Sequence, residues 1–153
     1  GEVDLGYSIW VRSERAGVDP VSLVGPLADE LVRFAAGIRE GRKPTFVATV
    51  PPSHTVDWST WDGDGPVAEY RKTVTAGAAE RARVTRALNA ALRHACAQHP
   101  SVSFLDVEHD YVEGDSVRPA VLNRDPDDFH LNGIAAGRLL RLALTRSLQG
   151  EGA

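Results

Sequence analysis

Apolar residues recur along this chain with two different periods, and the alternation of those periods predicts its elements. From Pro26 onward, Leu27, Leu31, Phe34 and Ile38 fall at i, i+4, i+7 and i+11, the spacing of one helical face, with Gly41 just past its end. The run Phe46 to Val50 is apolar and β-branched and is stopped by Pro51 and Pro52, which predicts a strand buried on both faces. Residues 52–66 mix glycine, proline and two tryptophans and read as a loop. A long helix is predicted from Tyr70 to Gln98, with Val84, Leu88, Leu92 and Ala95 as its inner stripe and Arg81, Arg83, Arg86 and Arg93 largely off it. Ser101–Val107 is a second strand and 108–128 a loop. The last helix carries Leu140, Leu144 and Leu148 on one face and is closed by Gly150.

Strands alternating with helices predict an α/β fold, a three-layer αβα arrangement with a parallel sheet, in a single domain over residues 1–153. The opening GEVDLGYSIWV supplies only the end of a strand. Two strands and a stub fall short of the roughly 4–6 that a sheet normally holds. Both strands look buried on two faces, so their neighbours are expected from another copy, another chain or residues ahead of Gly1. The expected arrangement is a sheet incomplete in this chain and completed by a partner chain.

Composition narrows the partners. A formal net charge of −4 gives no reason to expect nucleic acid or an anionic membrane. The arginines of the long helix are interrupted by Glu69 and Glu80 and read as a solvated face. Cys96 is the single cysteine, which excludes an internal disulfide and fits a reducing compartment. No basic and apolar leader and no run of ~20 apolar residues is present, so the expected location is cytoplasmic. Fifteen arginines against two lysines is the bias of a GC-rich bacterial genome. H-E-x-x-H and C-x-x-C are absent, and Asp125, Asp127 and Asp128 lack calcium-loop spacing, so neither metal nor cofactor is expected.

Ligands of an open α/β sheet gather at the carboxyl ends of its strands. Four segments would meet there: Asp4–Tyr7, Pro51–Trp61, Asp106–Asp110 and Asp125–His130. In the last of them Asp127 precedes His130 by three residues, directly before a helix. A general base needs one ring nitrogen free and the other held by an acceptor, and a turn before a helix can supply that hydrogen bond. The alternative is an acidic loop in which Asp127 or Asp128 caps the helix. His54, beside Trp58 and Trp61, and His109, in the DVEHD run with Glu108, are further candidates to face a ligand. Tyr7 and Trp10 suit a ligand or an interface. Ser116 sits in a GDS triplet that follows a polar loop, and it reads as a turn residue.

The stretch DDFHLNGIAAGRLL resembles the last block of the SGNH/GDSL-type hydrolases, and GEVD resembles a "GEID" variant of their third block. ERARVTRALNAAL is similar to a long helix of the same subgroup. The resemblance implies His130 as general base and Asp127 as the acid that orients it. It also implies an ester or acyl substrate. The family's serine block is missing from this chain, its second-block glycine region is absent, and Val3 stands where the third block carries an oxyanion-donating asparagine. The chain thus resembles the C-terminal half of an SGNH fold, with the serine expected on a second polypeptide.

Three functions are compatible with these residues. The first is a subunit of a two-chain enzyme of bacterial small-molecule or saccharide biosynthesis, in which His130 and Asp127 activate a partner's serine for ester cleavage or acyl transfer. In the second the same base, with no serine anywhere, lets a substrate amine or hydroxyl displace its own leaving group, such as sulfate, and close a ring. The third is a non-catalytic structural partner with Asp127 as a cap. Asp4, Tyr7, His54, Trp58 and His109 are the expected substrate contacts.

Overall fold

The computed structural model describes residues 5, 8–38, 45–50, 69, 72–122 and 131–149. The two predicted strands form, as β1 (Thr45–Ala48) and β2 (Val102–Leu105). They pair in parallel with Thr45 opposite Val102 and Ala48 opposite Leu105. One further rung follows, from the Thr49 N–H to the Leu105 carbonyl at 3.0 Å. A parallel pair needs a crossover, supplied here by the 20-residue helix named α3 below.

Side chains alternate across the pair. Val47, Val102 and Phe104 join one apolar cluster, while Phe46, Ala48 and Leu105 join a second on the opposite face. The first cluster is covered by α1 (Ile9–Ala16), α2 (Val24–Gly37) and α3 (Ala78–Ala97). α4 (Glu108–Tyr111), the two-residue strands β3 (Val112–Glu113) and β4 (Ser116–Val117), and α5 (Gly133–Gln149) enclose the second. The fold is therefore mixed α/β, predominantly helical, around a small parallel sheet.

Several element boundaries differ from the pattern reading for identifiable reasons. α1 is an addition: it ends at Gly17, whose φ of +64° is the left-handed conformation that stops helices, and Asp19 caps the following 3-10 turn at Pro20–Leu23. α3 starts at Ala78 instead of Tyr70. Lys72–Gly77 are non-helical, and the β-branched run Thr73–Val74–Thr75 followed by Gly77 disfavours a helix there. The segment read as a loop holds α4 and the β3–β4 hairpin. Its turn is Gly114–Asp115, with Gly114 at φ +61°, so the GDS triplet is a hairpin turn with Ser116 exposed on β4.

Two predicted stripes are corrected. On α2 the buried residues are Val24, Ala28, Val32 and Ala35, with Leu27 and Leu31 partly buried beside them, while Phe34 is 66% and Ile38 57% exposed. The smaller residues occupy the centre of the contact, so half of the predicted stripe packs at its margin and half faces outward. On α5 only Ala143 is buried, with Ala135, Ala136, Leu139 and Leu144 packed beside it; Leu140 and Leu148 are exposed. Again alanines occupy the contact.

α3 supplies the central core residues Val84, Leu88 and Leu92, all at most 1% exposed, as its periodicity predicts. Leu88→Ala is expected to cost about 2–5 kcal/mol, through lost transfer energy and an unfilled cavity. Urea denaturation followed by circular dichroism would measure it, and a cost under about 1 kcal/mol would contradict this packing.

Candidate functional site

The parallel pair directs the carboxyl ends of β1 and β2 the same way, and polar side chains converge on that end. Thr49 ends β1 and is buried. Its hydroxyl lies 3.3 Å from both the Leu105 carbonyl and Asp106 Oδ1, and it accepts from the Val107 N–H at 3.1 Å. One side chain therefore ties together the points at which both strands leave the sheet. Asp106 Oδ1 also accepts from the Glu108 N–H at 3.1 Å, which starts α4, and its other oxygen pairs with Arg93. The Arg93 guanidinium lies 5.2 Å from the centre of the Phe104 ring, within cation–π range.

The next residue on β1, Val50, is held from above. Asn89 of α3, 2% exposed, accepts from the Val50 N–H and donates to the Val50 carbonyl, both at 2.9 Å. An amide side chain satisfies both backbone groups of one residue, as a neighbouring strand would. Asn89, Thr85 and Arg81 recur at i, i−4 and i−8 on one buried stripe of α3. Arg81, read as lying off the core, is only 3% exposed and donates to the Ala76 carbonyl just ahead of the helix.

The outer arginines of α3 are exposed, yet they are not a freely solvated row. Arg83 pairs with Asp19 at 3.1 Å, Arg86 with Asp115 at 2.6 Å and Arg93 with Asp106. Each carboxylate belongs to a different segment, so the row joins α3 to the first 3-10 turn, the hairpin and the end of β2. Arg83 and the Val21 N–H hold the Asp19 carboxyl below its ordinary pKa.

Of the expected site residues, His109 lies in the described structure, one turn past β2 on α4. Its side chain is 68% exposed, with Nε2 3.4 Å from Asp110 Oδ1. Asp4, Tyr7, His54, Trp58, Asp127 and His130 lie outside the described residues, and so does Trp61. Their neighbours are placed. Leu5, next to Asp4, is buried in the first cluster, and the half-buried Trp10 donates its indole N–H to the Leu5 carbonyl at 2.6 Å. Val50 precedes the segment carrying His54 and Trp58.

Leu131 follows His130 and bridges Leu122 in antiparallel fashion, while the Asn132 N–H reaches the Val121 carbonyl at 2.9 Å. Asn132 is also the N-cap of α5: its Oδ1 accepts from the Ile134 and Ala135 N–H groups, both at 3.1 Å. Neither Asp127 nor Asp128 is needed for that role. At this helix start a cavity of about 580 Å³ is lined by Leu122, Asn132, Ile134 and Arg138 among others. Tyr111 fixes α5 from α4 by donating its hydroxyl to the Ala136 carbonyl at 3.0 Å, and burial raises its pKa.

Sequence reasoning passed over Thr49, Asn89, Arg93 and Asn132, and reached Asp106 only as the start of the Asp106–Asp110 segment expected at the strand ends. Two signals were present: an asparagine on the apolar stripe of a helix, and an asparagine immediately before a helix start. Burial likewise raises the pKa of the Cys96 thiol, which packs in the first cluster.

Among the described residues, no group of three or more His, Cys, Asp or Glu could hold a metal ion, and no helix is long and apolar enough to cross a membrane. No family model matches the chain, and neither a curated protein nor a solved structure matches it.

Two predictions follow from the strand-end network. Asn89→Ala leaves a donor and an acceptor of Val50 without partners, at about 1–3 kcal/mol each, and should show raised hydrogen exchange at Val50. Unchanged exchange there would remove the clamp. For Asp106, burial opposes the charged form, but the Glu108 N–H, Arg93 and Thr49 outweigh it and lower its pKa. A lowered folded-state pKa contributes stability above the unfolded value near 3.9 that is lost as pH falls through the folded value. Wild type should therefore exceed Asp106→Asn in urea midpoint at pH 7, with the gap closing below about pH 4. A gap independent of pH would refute the charge-based account.

Proposed function

We propose that the chain is the acid–base subunit of a two-chain SGNH-like hydrolase or acyltransferase. In this reading its three-layer αβα fold is completed by a partner polypeptide that carries the serine. Asp127 holds one ring nitrogen of His130, fixing its tautomer, and the other nitrogen takes the proton from the partner's hydroxyl as it attacks an ester carbonyl. His130 then returns that proton to the leaving oxygen. Asp4, Tyr7, His54, Trp58 and His109 would line the substrate channel of a cytoplasmic biosynthetic enzyme that uses neither metal nor cofactor.

The observation that carries the reading is the cap of α5. Asn132 accepts from the Ile134 and Ala135 N–H groups, so these amides of the helix do not call on a carboxylate of the D-x-x-H block, which leaves Asp127 available to orient His130. The second reading uses the same base without a serine: a substrate nucleophile is deprotonated and expels its own leaving group in a ring closure. It shares the observation on α5 and differs only in the origin of the nucleophile. The parallel strand ends support either, because they place Val50 and Asp106 at the end of the sheet where ligands collect.

The test is the purified complex treated with a fluorophosphonate probe. Labelling of a serine on the partner, lost on heat denaturation and reduced at least tenfold by His130→Ala, is the expected result. Absence of labelling together with His130-dependent turnover would transfer the proposal to ring closure. Turnover that survives both His130→Ala and Asp127→Ala would end it.

A further inference from the structure

Two helices joined by a short turn leave a groove between them. α1 and α2 each pack on the 3-10 turn at Pro20–Leu23 but hardly on one another, so they splay apart as they leave it. Along one flank of α2, Leu31, Leu27, Phe34 and Glu30 follow in that order from the core outward, as their helical spacing requires. Leu27 and Leu31 are partly buried, whereas Phe34 is 66% exposed. These four residues and Arg12 of α1 line a groove of about 330 Å³. Every lining residue belongs to a described helix.

The groove carries one charge of each sign on opposite walls, Arg12 on α1 and Glu30 on α2. Both are exposed, and among the described residues neither is paired with the other or with a third group. Arg83, Arg86, Arg93 and Arg146, by contrast, each have a carboxylate partner. A surface with a cation on one wall and an anion on the other is its own complement. A twofold axis through the groove exchanges the walls and brings Arg12 of each copy to Glu30 of the other. The same rotation sets Phe34 of each copy against Leu27 and Leu31 of the other, which removes from water an aromatic ring that one copy leaves exposed.

We infer that the α1–α2 groove is the contact face of a symmetric dimer of this chain, held by reciprocal Arg12–Glu30 pairs around the apolar contact of Phe34 with Leu27 and Leu31. The apolar residues supply the association energy, and the charge pairs at the rim fix orientation and register. The dimer stands whether or not a different polypeptide supplies a serine to the acid–base site proposed above.

The test is analytical ultracentrifugation of the full-length protein, with circular dichroism to confirm that each variant is folded. Wild type is expected to show a reversible monomer–dimer equilibrium that weakens as salt is added. Because the twofold repeats every contact, Arg12→Glu turns two attractive pairs into two repulsive ones, and Glu30→Arg does the same. Each should weaken the dimer roughly tenfold, and Phe34→Ser should weaken it at least as much. All three positions are exposed, so the fold is expected to survive. The decisive variant combines Arg12→Glu with Glu30→Arg, which restores opposite charges across the axis and should bring the dimer back to near wild-type strength. A double variant no tighter than the single ones, or a dimer indifferent to all of them, would overturn the contact. So would a monomer at every concentration. In that case hydroxyl-radical footprinting of Phe34 names the occupant: protection in the isolated monomer assigns the groove to a segment of this chain, and protection only with a different polypeptide present assigns it to that one.

Discussion

A parallel strand pair has no hairpin to hold its register, so β1 and β2 depend on the helices that cross between them and on whatever pins their ends. Here the pins are polar and few. Thr49 ties β1 to Leu105, Asp106 and Val107, and Asn89 ties the next residue to α3. Each is buried, so each bond stands against the full cost of an unsatisfied group instead of the small net gain of a solvated one. The charge pairs outside them contribute less individually, because Arg83, Arg86 and Arg93 are about half exposed and screened. Their value is in reach: three segments remote in sequence are drawn to one helix.

How much of this was legible in the sequence depends on what each pattern encodes. β1 and β2 were readable because short β-branched runs between turn residues have few alternatives. α3 was readable over its core because Val84, Leu88 and Leu92 carry the period, but its start was not, since Lys72–Gly77 depart from a helix through propensity and not through polarity. The inward faces of α2 and α5 were partly misread, since Leu27, Leu31 and Leu144 pack against the core but do not centre the contact. Periodicity assigns the core to the bulkiest residues, whereas close helix packing selects alanine and valine, as at Ala28, Val32, Ala35 and Ala143.

The polar residues of the strand ends were invisible for a different reason. Nothing in one sequence says that Asn89 will stand over Val50, 39 residues away, or that Thr49 will meet Asp106. Such pairings exist only after the crossover is built. The D-x-x-H block was the reverse case: conspicuous as a motif, and open to a bland interpretation as a helix cap. In the structure Asn132 takes the capping bonds to Ile134 and Ala135.

The pinned strand ends and the candidate site are one structural problem. Val50 directly precedes the segment bearing His54 and Trp58, and Asn89 satisfies both of its backbone groups. Thr49, one residue earlier, holds the point at which β2 gives way to Asp106 and Val107. Without Asn89 the exit of β1 would depend on Thr49 alone, and two backbone groups would lose their partners. Two buried side chains therefore set the height at which both strands leave the sheet.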